Sequence, residues 1–119
     1  MEYDEKLQWL KSYKTLHDKL TYINNRIKGV QAINYTPGEN GPGKSINELI
    51  DEKTMVIAKM EEIEDAIENI EDETLSTILG YRFLLFYTLV RTSIETGYSL
   101  SQINRKQKEA IEILKDDTK

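Results

Sequence analysis

No cysteine occurs in the 119 residues, and histidine appears once, at His17. The first absence excludes a disulfide framework and a thiolate site, and the second leaves imidazole ligation of a metal without partners. Prolines number two and glycines six, while Leu, Ile, Glu and Lys abound, a balance that favours helix over sheet. The longest mostly apolar run, residues 83–90, is far below the ~20 residues that span a bilayer. The opening MEYDEKLQWL lacks a basic stretch followed by an apolar core, so neither a secretion signal nor a membrane partner is expected. A soluble, all-α chain in the cytoplasm is the expectation.

Positive charge is also scarce, and unevenly so. The net charge is -5, but residues 1–80 carry 9 basic and 16 acidic side chains whereas residues 81–119 carry 7 and 5. Residues 61–73 hold eight acids and no base. Phosphate would be repelled by that segment, so any meeting with nucleic acid falls to the last forty residues.

What is present is helical periodicity. Leu7, Leu10, Tyr13, Leu16, Leu20, Ile23, Ile27 and Val30 recur by threes and fours and draw one stripe along a helix over residues 4–29. Asp4 suits its start, and Gly29, after Arg26 and Lys28, suits its end. A second train, Leu49, Val56, Met60, Ile63, Ile67 and Ile70, predicts a helix over residues 46–71 with Lys53 the one polar intrusion. A connection over residues 31–44 allows an antiparallel return. The reading is a long coiled-coil helical hairpin, residues 1–73, followed by a smaller lobe, residues 74–119; two helices packed on a compact bundle without supercoil is the alternative.

Residues 38–45, GENGPGKS, match the phosphate-binding pattern G-x-x-x-x-G-K-[ST] from Gly38 to Ser45. The match is judged accidental and no nucleotide is expected. A phosphate loop joins a buried strand to a helix, whereas here the flanks are helical and Pro37 precedes the first glycine. Glu39, Glu48, Asp51 and Glu52 would oppose a triphosphate. Ser45 and Glu48 read instead as a capping box for the second helix.

Beyond residue 73, Leu75, Ile78, Leu79, Phe83 and Phe86 predict one short helix, residues 89–96 another, and Gly97-Tyr98-Ser99 a turn into a third over residues 100–115 with Ser99 as its cap. On that third helix Ile103, Ala110, Ile111 and Leu114 gather on one face, with Ser101, Arg105 and Lys108 opposite. The layout is that of a helix-turn-helix, and Ser93, Gly97 and Ile103 occupy its small, glycine and branched positions. Thr92, Thr96 and Lys106 stand where apolar residues usually fill the gap between such helices.

Residues 81–114, YRFLLFYTLVRTSIETGYSLSQINRKQKEAIEIL, resemble the C-terminal part of small phage-encoded transcriptional regulators of the ArpU/RinA-like group, similar at that end to region 4 of sigma factors. Tyr81-Arg82-Phe83, Gly97-Tyr98-Ser99 and Lys108-Glu109-Ala110-Ile111 carry the likeness. It implies a DNA-binding regulator of a phage or prophage operon, working in the cytoplasm of a bacterial host, with Arg105 and Lys108 on the reading face. Leu85-Phe86-Tyr87 replaces a polar, glycine-containing turn of that group. Fusion of the first motif helix with its predecessor is the corresponding alternative, and it would leave no reading head.

The leading expectation is recognition of double-stranded DNA through the major groove. Arg105 is the candidate for guanine, and Ser101, Gln102 and Asn104 for neighbouring base edges. Lys106, Lys108 and Arg91 would anchor phosphates. So few cations on an acidic protein imply help, from a homodimer formed through the hairpin or from RNA polymerase. The second expectation is a protein-binding adaptor using the acidic residues 61–73 or the apolar residues 83–90. An enzyme is the weakest reading: Glu62, Asp65 and Glu68 are carboxylates at helical spacing without a nucleophile, and no catalytic residue, metal or cofactor is assigned.

Overall fold

The structure, a computed structural model, describes residues 1–32 and 45–115, except for the side chains of residues 30–32. Five α-helices are present among them: α1 (Tyr3–Ala32), α2 (Ile46–Glu68), α3 (Glu73–Leu79), α4 (Leu89–Thr96) and α5 (Leu100–Ile113). A single wide turn with π-helical geometry, Gly80–Leu84, continues α3. Helices α1 and α2 form a long antiparallel hairpin, and α3 to α5 form a compact lobe of small helices. Most of the connection expected over residues 31–44, and the GENGPGKS match apart from Ser45, lie outside the described residues.

The chain divides into two compact units, one of Thr15–Met60 and one of Met1–Lys14 with Glu61–Lys119. In the first, the buried side chains are Ile23, Leu49, Val56 and Met60, so the apolar trains face inward as the spacing requires. Lys19 and Glu52 pair across the helices at 3.2 Å. The Ser45 hydroxyl accepts the Glu48 amide at 3.2 Å and so caps α2.

The second unit has the larger core. Leu10 and Tyr13 from α1 and Ile63, Ile67 and Ile70 from the α2 side are buried, as are Leu75, Ile78, Leu79, Phe83, Ile103, Ala110, Ile111 and Leu114. The Tyr13 hydroxyl donates to the Glu64 carboxylate. Burial first, then that hydrogen bond, pushes the phenol well above its ordinary value.

Three expected helix ends move. Gly29 does not end α1, which continues to Ala32; no left-handed residue is needed where the helix goes on. Asp4 lies inside the first turn with Glu5 rather than outside it as a cap, and there both carboxylates meet the positive end of the helix dipole. Helix α2 stops at Glu68 rather than near residue 71. The cause is local: Asp72 caps α3 by accepting the amides of Thr74 at 2.9 Å and Leu75 at 3.1 Å, and the Ser76 hydroxyl donates to the Ile67 carbonyl at 2.9 Å. The orphan groups of both helix ends are thus partly satisfied by each other's neighbours.

Helices α3 and α4 do not fuse, because residues 85–88 leave the helix. Amide bonds from Leu85 to the Gly80 carbonyl (3.0 Å) and from Tyr87 to the Tyr81 carbonyl (2.9 Å) widen and close the turn. Phe86 adopts a positive φ of 62°. A left-handed residue with a side chain costs roughly 1–2 kcal/mol, and here the ring packs against Tyr13 with centroids 6.1 Å apart. Thr88 then caps α4 through the Arg91 amide at 3.0 Å.

Candidate nucleic-acid interface

Helices α4 and α5 are joined by three residues, each with a definite task. Gly97 has φ 81°, the left-handed conformation that a helix-ending glycine supplies without strain, and its amide donates to the Ser93 carbonyl at 2.9 Å. The Tyr98 carbonyl accepts the Ser93 hydroxyl. Ser99 starts α5 with a reciprocal box: its hydroxyl accepts the Gln102 amide at 3.2 Å while the Gln102 side-chain oxygen accepts the Ser99 amide at 2.9 Å.

The positions that ought to be apolar in a helix-turn-helix are accommodated individually. Thr92 is fully buried and its hydroxyl donates back to the Thr88 carbonyl at 2.9 Å. Thr96 does the same to the Thr92 carbonyl at 2.7 Å. Lys106 lays its ammonium 5.0 Å from the centre of the Tyr98 ring. Each polar group meets its requirement within one turn of its own helix or on an adjacent ring, so the threonine methyls and the lysine stem can fill the gap. No buried side-chain nitrogen or oxygen is left unsatisfied among the described residues.

On α5, Ile103, Ala110 and Ile111 are buried, as is Leu114 just beyond it, while Ser101, Gln102, Asn104, Arg105 and Lys108 are exposed. By helical phase Ser101, Asn104, Arg105 and Lys108 share one face about 100° wide. Among the described residues the side chains of Asn104, Arg105 and Lys108 have no hydrogen-bonding or ionic partner. Three exposed polar side chains without such partners can reorganise onto another surface without first breaking a bond to a described residue. Acids take over beyond Lys108, where Glu109 and Glu112 follow.

The remaining candidates stand apart from that face. Gln102 has its acceptor engaged in the cap, so the bidentate pairing to adenine, which needs the amide oxygen and nitrogen together, is closed to it. Lys106 is half-buried and turned toward Tyr98. Arg91, on α4, stacks its guanidinium 3.9 Å from the Tyr87 ring centre and donates from Nη2 to the Tyr87 hydroxyl at 3.2 Å. Tyr87 in turn stacks on Tyr81, centroids 5.1 Å apart and planes 15° from parallel. A guanidinium on such a platform is pre-positioned and keeps free N–H groups.

Arg82 is the residue whose role sequence reasoning missed. Its Nε donates to the Gln107 side chain of α5 at 2.7 Å and Nη1 to the Tyr87 carbonyl at 2.6 Å. Burial pushes its pKa downward from the usual guanidinium value. The clue in the sequence is a lone cation beside an apolar run, which has to find acceptors on a neighbouring element.

Among the described residues no helix is long and apolar enough to cross a membrane, and no group of three or more His, Cys, Asp or Glu could hold a metal. Protein-family models, curated proteins and solved structures give no match to this chain.

Proposed function

We propose that the chain is a DNA-binding transcriptional regulator of the phage or prophage kind that inserts α5 into the major groove. The observation that carries this reading is the exposed set Ser101, Asn104, Arg105 and Lys108, the last three unengaged among the described residues, on the helix that follows a three-residue, glycine-containing turn. Arg105 reads a base edge, guanine being the geometry its fork fits, and Asn104 and Ser101 contact its neighbours. Lys108, Lys106 and the stacked Arg91 hold phosphates. Gln102 contributes donors only. Catalysis has no part in the proposal, and a bacterial cytoplasm is the setting it implies.

Fluorescence-anisotropy titration with random-sequence duplex DNA at low and moderate salt tests it. Binding at low salt with a logarithmic salt slope of about -3 is what these three phosphate contacts give. Loss of that binding in the Arg105→Ala, Lys108→Ala double variant supports the reading, and binding unchanged by the double variant overturns it.

A protein-binding adaptor is the second reading, favoured by one observation: Leu85, Val90 and Ile94 are large aliphatic side chains left exposed. RNA polymerase is the partner it would take. Absence of DNA binding at low salt, with retention of a polymerase by the immobilised chain, moves the weight there.

A further inference from the structure

Helix α4 is inside out. It buries Thr92 completely and leaves Val90 56% and Ile94 73% exposed. These two aliphatic residues are one turn apart and form a short seam on the outer face. Along one flank of the seam, again one turn apart, lie Arg91 and Glu95, both exposed. Opposite charges at this spacing on one helix normally pair with each other. Here they do not: Arg91 is drawn onto Tyr87, and among the described residues Glu95 has no hydrogen-bonding or ionic partner.

We infer that this face docks on the α4 of a second copy of the chain, the two helices antiparallel about a two-fold axis at the level of residues 92 and 93. The charge pattern selects that occupant. In an antiparallel pair the same flank of each helix meets in reversed order, so Arg91 of one copy faces Glu95 of the other, twice, beside a seam in which Val90 meets Ile94. A parallel pair brings no such match. Arg91 can stay on its tyrosine while its free N–H groups reach the incoming carboxylate. Two helical turns cover much less than the ~800 Å² per partner of a standard interface, so the association is weak by itself and grows when two copies are held side by side. It does not depend on α5 reading DNA.

The test is sedimentation equilibrium of the full chain without DNA, from about 10 µM to about 1 mM, a range that brackets a weak dimer. The expected result is a concentration-dependent rise from monomer toward dimer mass, weakened about tenfold or more by Ile94→Ser, as for a central apolar residue. Arg91→Glu alone and Glu95→Arg alone each place like charges face to face and abolish it. The two together restore it, because the exchanged pattern is again self-complementary. Circular dichroism verifies that each variant is folded; Ile94→Ser and Glu95→Arg leave the Tyr87 platform untouched should Arg91→Glu disturb it. A monomer at every concentration overturns the inference. So does a dimer that ignores all the α4 variants and is lost instead in Met55→Glu on the hairpin, and so does failure of the double exchange to restore association lost in Glu95→Arg.

Discussion

Helices α4 and α5 are neighbours in one lobe, and both carry aliphatic side chains at helical spacing, but they turn them in opposite directions. Helix α5 encloses Ile103, Ala110 and Ile111 and offers polar and cationic residues to solvent. Helix α4 encloses Thr92 and offers Val90 and Ile94. The difference teaches what sets the rotation of each helix about its own axis. For α5 it is burial: three or four aliphatic side chains on one face, at roughly 25 cal/mol per Å² removed from water, outweigh anything its ends can impose. For α4, only eight residues long, the ends prevail. Thr88 caps one end, Gly97 and the Ser93–Tyr98 bond fix the other, and between them Thr92 is the residue turned inward.

The sharpest way to break that comparison is to delete the same atoms from both helices. Ile111→Ala on α5 removes a side chain with no exposed surface and is expected to destabilise the chain by about 2–5 kcal/mol. Ile94→Ala on α4, at 73% exposure, is expected to change stability by no more than about 0.5 kcal/mol. Urea denaturation of both variants measures the gap. Equal losses would mean that α4 packs its aliphatic seam on something within the monomer.

That contrast also explains how much could be read in advance. The register of α2 was legible because Leu49, Val56, Met60, Ile63 and Ile67 repeat over five turns, and all five are buried. The α5 face was legible for the same reason, and the Gly97 turn because only glycine is at ease at its φ of 81°. Where a feature depends on a partner outside its own helix, the pattern falls silent. The end of α2 is set by the Ser76 hydroxyl on the Ile67 carbonyl, and the wide turn at residues 80–84 is held by Arg82 reaching Gln107 and Tyr87. Phe86 at positive φ contradicts local preference outright. Of the candidate interface, the exposed face of α5 was legible from phase alone. The engagement of Gln102 in the cap and of Arg91 on Tyr87 was not, because each is a choice between two chemically adequate partners that only the fold decides.

A smaller effect sharpens the comparison at the helix starts. Both helices open on a hydroxyl cap, but α5 has the reciprocal Ser99–Gln102 box and α4 the single Thr88 bond. Ser99→Ala leaves the Gln102 amide without its acceptor and loosens the reciprocal bond that the backbone amide of residue 99 still donates to the Gln102 side chain, and is expected to cost about 1 kcal/mol; Thr88→Ala is expected near the ~0.5 kcal/mol end of the capping range. Thermal unfolding of the two variants side by side reads the difference. A larger loss at Thr88 would mean that the start of α4, and not that of α5, anchors the turn.

The smallest expected effect concerns Thr92 itself. Its hydroxyl donates to the Thr88 carbonyl, but that carbonyl already accepts the Thr92 amide at 2.9 Å. Thr92→Val keeps the branched shape and removes the hydroxyl without orphaning its acceptor, since one bond to Thr88 survives. Burying a methyl in place of a hydroxyl offsets the lost bond, so stability is expected to stay within roughly 0.3 kcal/mol of the native chain, on the stabilising side. Urea titration detects a shift of that size. A loss well beyond it would assign the hydroxyl an active part in holding α4 in its inverted orientation, because the back-bond would then be what keeps residue 92, rather than Val90 or Ile94, turned inward.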